Sequence, residues 1–384
     1  MHRPLFYCCC IAVLLSSCTS TSRLAGNSRK NVQVSSLKFL DEYVIPYNLP
    51  FEHTLVGGLS GIDYDAAGQR YFIISDERSF SSPARFYTAD IVINDYKIDT
   101  IRFTSTHSLK QPDGSVFPSF KQNAQRTPDP ESIRYNARTK SLLWTSEGDR
   151  AVREGKMIYQ SPYVYEMDLQ GNFKDSFFIP DNLKMYAEEK GARENGVFEG
   201  SSFDDTYKWL YVSMEQPVYQ DGAIPTTTSQ GAPIRITKYN SRTKKAVAQY
   251  AYQLDKVATE PKPANGFFIN GLDEILWIGN NRFLLLERSY STGTPQNTIK
   301  VFLADISGAT NILNRESIAG SNDYSLVSKK LLLNLNDLNR FVDNVEGITL
   351  GPVLPNGHRS LILIVDNNFN PLEKSQVFLF EIIP

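Results

Sequence analysis

One unit of sequence recurs five times along the chain, and it limits the possible folds more than any other feature. The clearest copy runs from Asn344 to Asn370. It reads Asn344-Val345-Glu346-Gly347-Ile348-Thr349-Leu350, a turn through Pro355-Asn356-Gly357, then Leu361-Ile362-Leu363-Ile364-Val365-Asp366-Asn367-Asn368-Phe369-Asn370. Apolar runs of this length between turn residues are strand signals, and a hairpin brings its two ends together. Glu346 and Asp366 are therefore expected at one end of the pair. Related units open at Gly57-Gly58-Leu59-Ser60-Gly61, Pro130-Glu131-Ser132, Phe198-Glu199-Gly200 and Gly271-Leu272-Asp273. Their second strands end in Asp76-Glu77, Glu147, Glu215 and Glu287-Arg288. A long repeat of fixed internal grammar marks an architecture of stacked or radial units.

Strand counting narrows it to a β-propeller. Two further strands follow each of the first four hairpins, but only one, Gln376 to Ile382, follows the fifth. The missing strand is available at the other end of the chain, in Val34 to Ile45. An N-terminal strand that completes the last blade closes the ring and hides its edges. The expected fold is all-β: a single β-propeller of five four-stranded blades, residues 34–384. Six blades is the alternative if Thr104–Thr127 or Leu183–Asn195 hides strands. Leu183–Lys190 reads instead as a short surface helix.

The first residues read as an address. Arg3 precedes an apolar run, Leu5 to Leu15, that ends in Leu15-Ser16-Ser17-Cys18. The run is too short to span a bilayer as a helix. It resembles a bacterial lipoprotein signal, residues 1–17, with Cys18 as the lipidated first residue of the mature chain. Residues 18–33, rich in Ser, Thr, Gly and Asn, read as a flexible tether. The expected location is the bacterial cell envelope, lipid-anchored, facing the periplasm or the cell surface.

The rest of the composition excludes several chemistries. All 4 cysteines lie at or before Cys18, so the body has neither a disulfide framework nor a zinc-ribbon spacing. The formal net charge is −2, which gives no general argument for nucleic acid as a partner. No Gly-x-Ser-x-Gly elbow, His-Glu-x-x-His helix or Gly-Lys-Thr phosphate loop is present.

In a propeller the repeated acids acquire a common place. The start of each innermost strand and the end of the second open on the same face. Glu131, Glu147, Glu199, Glu215, Glu287, Glu346 and Asp366 are thus expected at one mouth of the central channel, with Asp76, Glu77 and Asp273 beside them. Carboxylates crowded in this way need cations, protons or arginines. Oxygen-only ligands favour calcium, with magnesium or manganese next. The expected ligands are Glu346, Asp366, Glu147, Glu215, Glu287 and Glu77, and Glu131 or Glu199 is the candidate general base. Arg78, Arg150, Arg288 and Asn367 are candidate substrate-binding groups, since arginines beside a metal–carboxylate funnel suit a small anionic ester.

These motifs together resemble the "esterase-like activity of phytase" (phytase-like domain) family. The residues that carry the resemblance are Gly57-Gly58-Leu59-Ser60-Gly61, Pro130-Glu131-Ser132, Phe198-Glu199-Gly200, Leu286-Glu287-Arg288, Val345-Glu346-Gly347 and Asp366-Asn367-Asn368-Phe369. The family implies an exported β-propeller, and its name suggests phosphoester or ester hydrolysis. Two function classes follow: a calcium-dependent hydrolase, of which a lactonase-like enzyme is a variant, or a non-catalytic propeller that binds a ligand or partner at its mouth. The address is directly testable. Mass spectrometry of membrane-extracted protein should find a diacylglyceryl-type mass on Cys18; an unmodified N-terminus elsewhere refutes it.

Overall fold

The computed structural model describes residues 31–153 and 155–384. The expected leader, Cys18 and most of the tether lie outside the described residues. Among those described, no helix is long and apolar enough to cross a membrane. Packing begins slightly before the expected boundary. The Val32 amide donates to the Ile278 carbonyl, and Val32 and Val34 join the core shared by the fourth and fifth blades.

Five four-stranded antiparallel sheets form the body. Blade 1 runs outward through Leu59–Asp65, Arg70–Ser75, Arg85–Asn94 and Lys97–Ser108. Blade 2 uses Pro130–Asn136, Ser141–Ser146, Tyr163–Met167 and Phe173–Ser176. Blade 3 uses Phe198–Phe203, Trp209–Met214, Ile234–Asn240 and Ala246–Tyr252. Blade 4 uses Phe268–Gly279, Arg282–Ser291, Thr298–Asp305 and Ser328–Asn334. Blade 5 has Asn344–Val353, Arg359–Asp366 and Ser375–Ile383, and Ser36–Ile45 from the N-terminus is its outermost strand. That strand pairs antiparallel with Ser375–Ile383 from Ser36↔Ile383 to Ile45↔Ser375, so the ring closes as the strand count predicts.

The alternatives raised by the long segments resolve simply. The loop after blade 1 contains a four-residue helix, Phe120–Asn123, capped by Ser119, and an isolated Lys110–Val116 bridge, neither of which adds a strand to a sheet. Leu183–Lys190 is not a helix. A 3₁₀ turn, Asp181–Leu183, is followed by irregular chain pinned by a Met185–Gly191 bridge. Gly191 there has φ +71°, a conformation that ends regular structure and favours glycine. Two added hairpins, Leu49–Phe51 with Thr54–Val56 and Asp149–Arg153 with Lys156–Gln160, decorate the ring without adding a blade.

The apolar core lies between blades. Each second strand is buried on both faces: all residues of Ser141–Ser146 are buried, as are Tyr71 to Ser75 of blade 1. Such two-sided burial explains why these strands read as continuous apolar runs rather than as alternation.

The channel itself is closed by one side chain. Arg134, on the innermost strand of blade 2, is fully buried. Its guanidinium donates to the carbonyls of Ile62 at 2.7 Å, Ser201 at 2.5 Å, Ile275 at 3.2 Å and Ile348 at 3.1 Å. Those acceptors belong to the innermost strands of the four other blades. Glu274, at 2.5 Å, supplies the countercharge. Burial pushes the Glu274 carboxyl up to about 7, against the opposing pull of Arg134. Replacing Arg134 by Met removes the donor from several buried carbonyls and leaves Glu274 without its countercharge, though the Ser201 and Ile275 amides still donate to it at 2.9 Å. Breaking a buried ion pair from one side costs about 3–5 kcal/mol. We expect Arg134→Met to lose stability of that order in urea unfolding; a loss under about 1 kcal/mol would mean that water or neighbouring groups replace it.

A carboxylate funnel at one mouth of the channel

The acids reach the mouth through a defect repeated in every blade. Pairing of the innermost with the second strand shifts register between Leu59 and Gly61, Pro130 and Ile133, Phe198 and Ser201, Leu272 and Glu274, and Val345 and Gly347. The unpaired residues include Ser60, Glu131, Glu199, Asp273 and Glu346. A β-bulge turns its extra residue out of the regular pleat, which here aims one polar side chain per blade at the channel. After the bulge the strand packs tightly on its neighbour. A Cβ on Gly61 would lie 2.6 Å from the Glu131 carbonyl oxygen, and one on Gly200 2.7 Å from the Ile275 nitrogen.

A second ring of side chains comes from the ends of the second strands. The Asp76, Glu147 and Glu215 amides donate to the carbonyls of Gly58, Asp129 and Val197, each two residues before the bulge residue Ser60, Glu131 or Glu199. Asp366 pairs with Asn344 and Arg288 with Gly271 in the equivalent places. The mouth residues of the five second strands are therefore Asp76, Glu147, Glu215, Arg288 and Asp366.

This register corrects two expectations. Glu77 and Glu287 each stand one residue away from the mouth position. Successive strand residues point to opposite faces, so a one-residue offset turns a side chain away. Glu77 pairs with Arg85 and accepts from the Ser81 and Ser82 amides. Glu287 accepts from the Tyr252 hydroxyl at 2.6 Å, the Asp255 amide at 2.9 Å and the Asn270 amide at 3.0 Å, and pairs with Lys329 at 2.6 Å. Both are internal anchors of their blades. Asp76 takes the place expected for Glu77. Gly58, at φ +61°, makes room for it: a Cβ there would lie 2.3 Å from Asp76 Oδ1.

The remaining acids gather as expected. Three groups have ligand oxygens within 4.8 Å of one another: Asp76 with Glu346 and Asp366; Asp129 with Glu131 and Glu147; and Glu147 with Glu199 and Glu215. Asp129 is an addition that the repeat does not mark. Its signal is local, in Pro128-Asp129-Pro130-Glu131, where an acid two residues from Glu131 shares its side of an extended chain. All of these acids except the fully buried Asp366 line a funnel of about 490 Å³ that Arg288 also enters. Amides of Asn195, Gln296, Asn297, Asn344, Asn368 and Asn370 form much of its upper wall.

The candidate substrate-binding groups divide. Arg288 pairs with Asp273 and reaches Glu215 and Glu346, each at 3.7 Å. It is the funnel's own countercharge. Arg78 pairs with Asp149 at 2.9 Å and Asp129 at 3.3 Å, just outside the lining. Arg150 is elsewhere, donating to the Ala187 carbonyl and to the Tyr219 hydroxyl. Asn367 is buried, with Oδ1 accepting from the Gly58 and Phe369 amides at 3.2 Å each, so it shapes the turn beneath Asp76.

The electrostatics are lopsided. Burial, reinforced by neighbouring carboxylates, pushes Asp76, Glu131, Glu199, Glu215 and Asp366 well above the usual carboxylate range. Glu147 is pushed up to about 8 by burial and then Asp129, and Asp273 to about 7 by burial against the pull of Arg288. The residues also fit a divalent cation on independent grounds. Glu215 Oε2, Glu346 Oε2 and Asp366 Oδ2 are buried oxygens without a hydrogen-bond partner among the described residues, and each belongs to one of the three groups. Buried acceptors of this kind are costly unless something positive meets them.

A pH dependence follows. The folded state holds protons on these carboxyls that the unfolded chain, with an ordinary glutamate value of 4.5, has released. Stability from this source is present at low pH and is lost as pH rises through the folded values, about 7 to 8 where resolved. Chelator-treated protein should therefore melt lower at pH 8 than at pH 5.5. Calcium should reduce or reverse that slope, because cation binding displaces the protons. Calorimetry at the two pH values checks it.

The match of the family model "Phytase-like: Esterase-like activity of phytase" spans residues 54–369. No curated protein matches the chain. Among solved structures, the chain is similar to an endo-arabinase from Bacteroides thetaiotaomicron, at 12% identity and TM-score 0.41, covering 92% of this chain and 97% of that one. It is similar to an α-L-arabinofuranosidase from Lactobacillus brevis, at 11% identity and TM-score 0.43, covering 85% and 91%. It is also similar to a gluconolactonase from Xanthomonas campestris, at 10% identity and TM-score 0.36, covering 91% and 96%. The match over most of the chain, on a closed five-bladed ring with the repeated bulge acids at its mouth, places this protein in the phytase-like propeller family.

Proposed function

We propose that the funnel is a hydrolytic centre for phosphoester or related ester substrates, working with a bound divalent cation, calcium first. The observation that carries this reading is the set of unpartnered carboxylate oxygens on Glu215, Glu346 and Asp366 inside the three acid groups. Asp76, Glu346 and Asp366 would hold one ion, and Glu147 with Glu215 another, beside Glu199. A cation there would polarise the ester and offset negative charge as it develops.

The chain's own residues supply the rest. Glu131 and Glu199 project from bulges into the funnel and make the candidate bases. With a cation's charge beside it to favour the ionised form, such a carboxylate can take a proton from an attacking water and return it to a leaving group. Arg288 is held by Asp273, Glu215 and Glu346, so it balances the site rather than waiting for an anion. The Asn195 amide lines the mouth and offers donors to substrate oxygens, while those of Asn368 and Asn370 donate to Glu373 at 2.8 Å and 2.7 Å. Below them Arg134 and Glu274 close the channel, so substrate enters and product leaves by the same mouth. In this reading Cys18 anchors the propeller to a membrane of the cell envelope.

Thermal melting with calcium, magnesium or manganese, beside phosphatase and carboxylesterase screens, tests the proposal. Saturation at about 100 times the dissociation constant stabilises by about 2.7 kcal/mol. Calcium should raise the melting temperature, Glu346→Gln should shrink the rise, and Glu199→Gln should lower turnover by roughly 10²-fold or more. If no ion shifts melting and no ester is cleaved, the non-catalytic ligand-binding reading replaces this one, with Arg288 and bound protons as the counterions.

A further inference from the structure

The opposite face of the ring carries a second cavity of the opposite charge. Innermost strands run from the funnel downward, so the turns that follow them lie at the far end. The same is true of turns between third and outermost strands. A cleft of about 800 Å³ opens there between blades 2 and 3. Its walls are the turns Asn136–Ser141, Asp204–Trp209 and Asn240–Lys244, none of which belongs to the funnel.

The floor is apolar. Leu143, Phe177 and Phe203 are buried and line it, and Tyr207 forms one side. The rim is basic: Arg138, Lys208, Arg242 and Lys244 all contribute. Only Lys244 is neutralised, by Glu166 with Asp175 at 3.9 Å. Glu166 is itself fixed by the Ser141 hydroxyl at 2.6 Å, and it is the one carboxylate in the lining. Arg138 donates to the Thr206 carbonyl at 3.1 Å, which ties the blade 2 turn to the blade 3 turn across the cleft. Among the described residues, no carboxylate lies within ion-pair distance of Arg138, Lys208 or Arg242. Arg138, Lys208 and Arg242 therefore bring positive charge to an aromatic floor without a carboxylate partner, Lys208 lying over the Trp209 ring at 4.6 Å, in a chain that is otherwise close to neutral.

We propose that this cleft is a ligand site for a small amphiphilic anion: an apolar ring body on Phe177, Phe203 and Tyr207, with a carboxylate, sulfonate or phosphate against Arg242 and Lys208. The volume falls within the range of small-molecule pockets, and an apolar lining with a few convergent polar groups is their usual chemistry. The charge argues for the class of ligand. A neutral apolar body leaves the cations unanswered, and a bare inorganic anion leaves the floor wet. A charge-assisted hydrogen bond to guanidinium is among the stronger polar contacts available. The site goes beyond the hydrolytic reading of the funnel, and neither depends on the other.

A matched pair of fluorescent probes tests it. 8-Anilinonaphthalene-1-sulfonate and N-phenyl-1-naphthylamine share an aromatic body, and only the first carries an anion. The sulfonate should bind the folded full-length protein saturably, one per chain, and roughly tenfold or more tighter than the neutral amine. Lys208→Ala/Arg242→Ala should weaken the sulfonate by roughly tenfold or more while the melting temperature falls little, since both side chains are exposed and the Lys208 contact with Trp209 is of the weak, exposed kind. Glu346→Gln, in the funnel, should leave sulfonate affinity unchanged. Equal affinity for the two probes, no saturable binding, or an unaltered affinity in the double variant overturns the proposal.

Discussion

The ring depends on how its centre is filled. Five innermost strands converge on an axis where no strand can pair with the next, so their inward carbonyls would be left without donors. Arg134 answers this with one planar group, sharing its N–H donors among Ile62, Ser201, Ile275 and Ile348. Guanidinium suits the task because it presents five fixed donors in a plane and keeps its charge when buried. That charge requires Glu274, which is why one blade carries a carboxylate where Gly61, Gly200 and Gly347 stand in others. The same closure turns the channel from a pore into a blind funnel.

Above that plug, the funnel is built from a conflict. Bulges direct an acid inward from four of the five blades, and the ends of the second strands add four more. Two unit charges about 4 Å apart repel by about 4 kcal/mol at an effective dielectric of 20. The structure lowers this cost in two visible ways. Arg288 occupies the place an acid holds elsewhere in the ring, and burial keeps protons on several carboxyls. Neither meets the unpartnered oxygens of Glu215, Glu346 and Asp366. The same features that make the site unstable when fully ionised suit it to hold a cation or to exchange protons.

Much of this was legible in the chain. The repeated hairpins, the missing strand in the last unit and the spare strand at the start implied five blades closed by residues near the N-terminus. Those conclusions rest on pattern and period, which are local properties of sequence. The pairs Glu131 with Glu147, Glu199 with Glu215 and Glu346 with Asp366 were legible for the same reason, since a hairpin joins its own ends. Motifs alone also carried the family resemblance that the match over residues 54–369 bears out.

Which acid faces the channel was a different matter, because it turns on a single residue of register. Asp76 and Glu77 are adjacent, as are Glu287 and Arg288, and the sequence offers both members of each pair. Only the paired sheets decide that Asp76 and Arg288 face the funnel while Glu77 and Glu287 turn away to Arg85 and to Tyr252 with Lys329. Asp129 joined the site because the chain before a strand happens to run along the mouth, which no repeat encodes. Arg134 looked like any basic residue of a β-strand until five blades met around it. Sequence by itself determined the units and their order, since each unit is held by contacts close in the chain. Tertiary structure decided which side chains meet, because groups from blades far apart in sequence come together only when the ring closes.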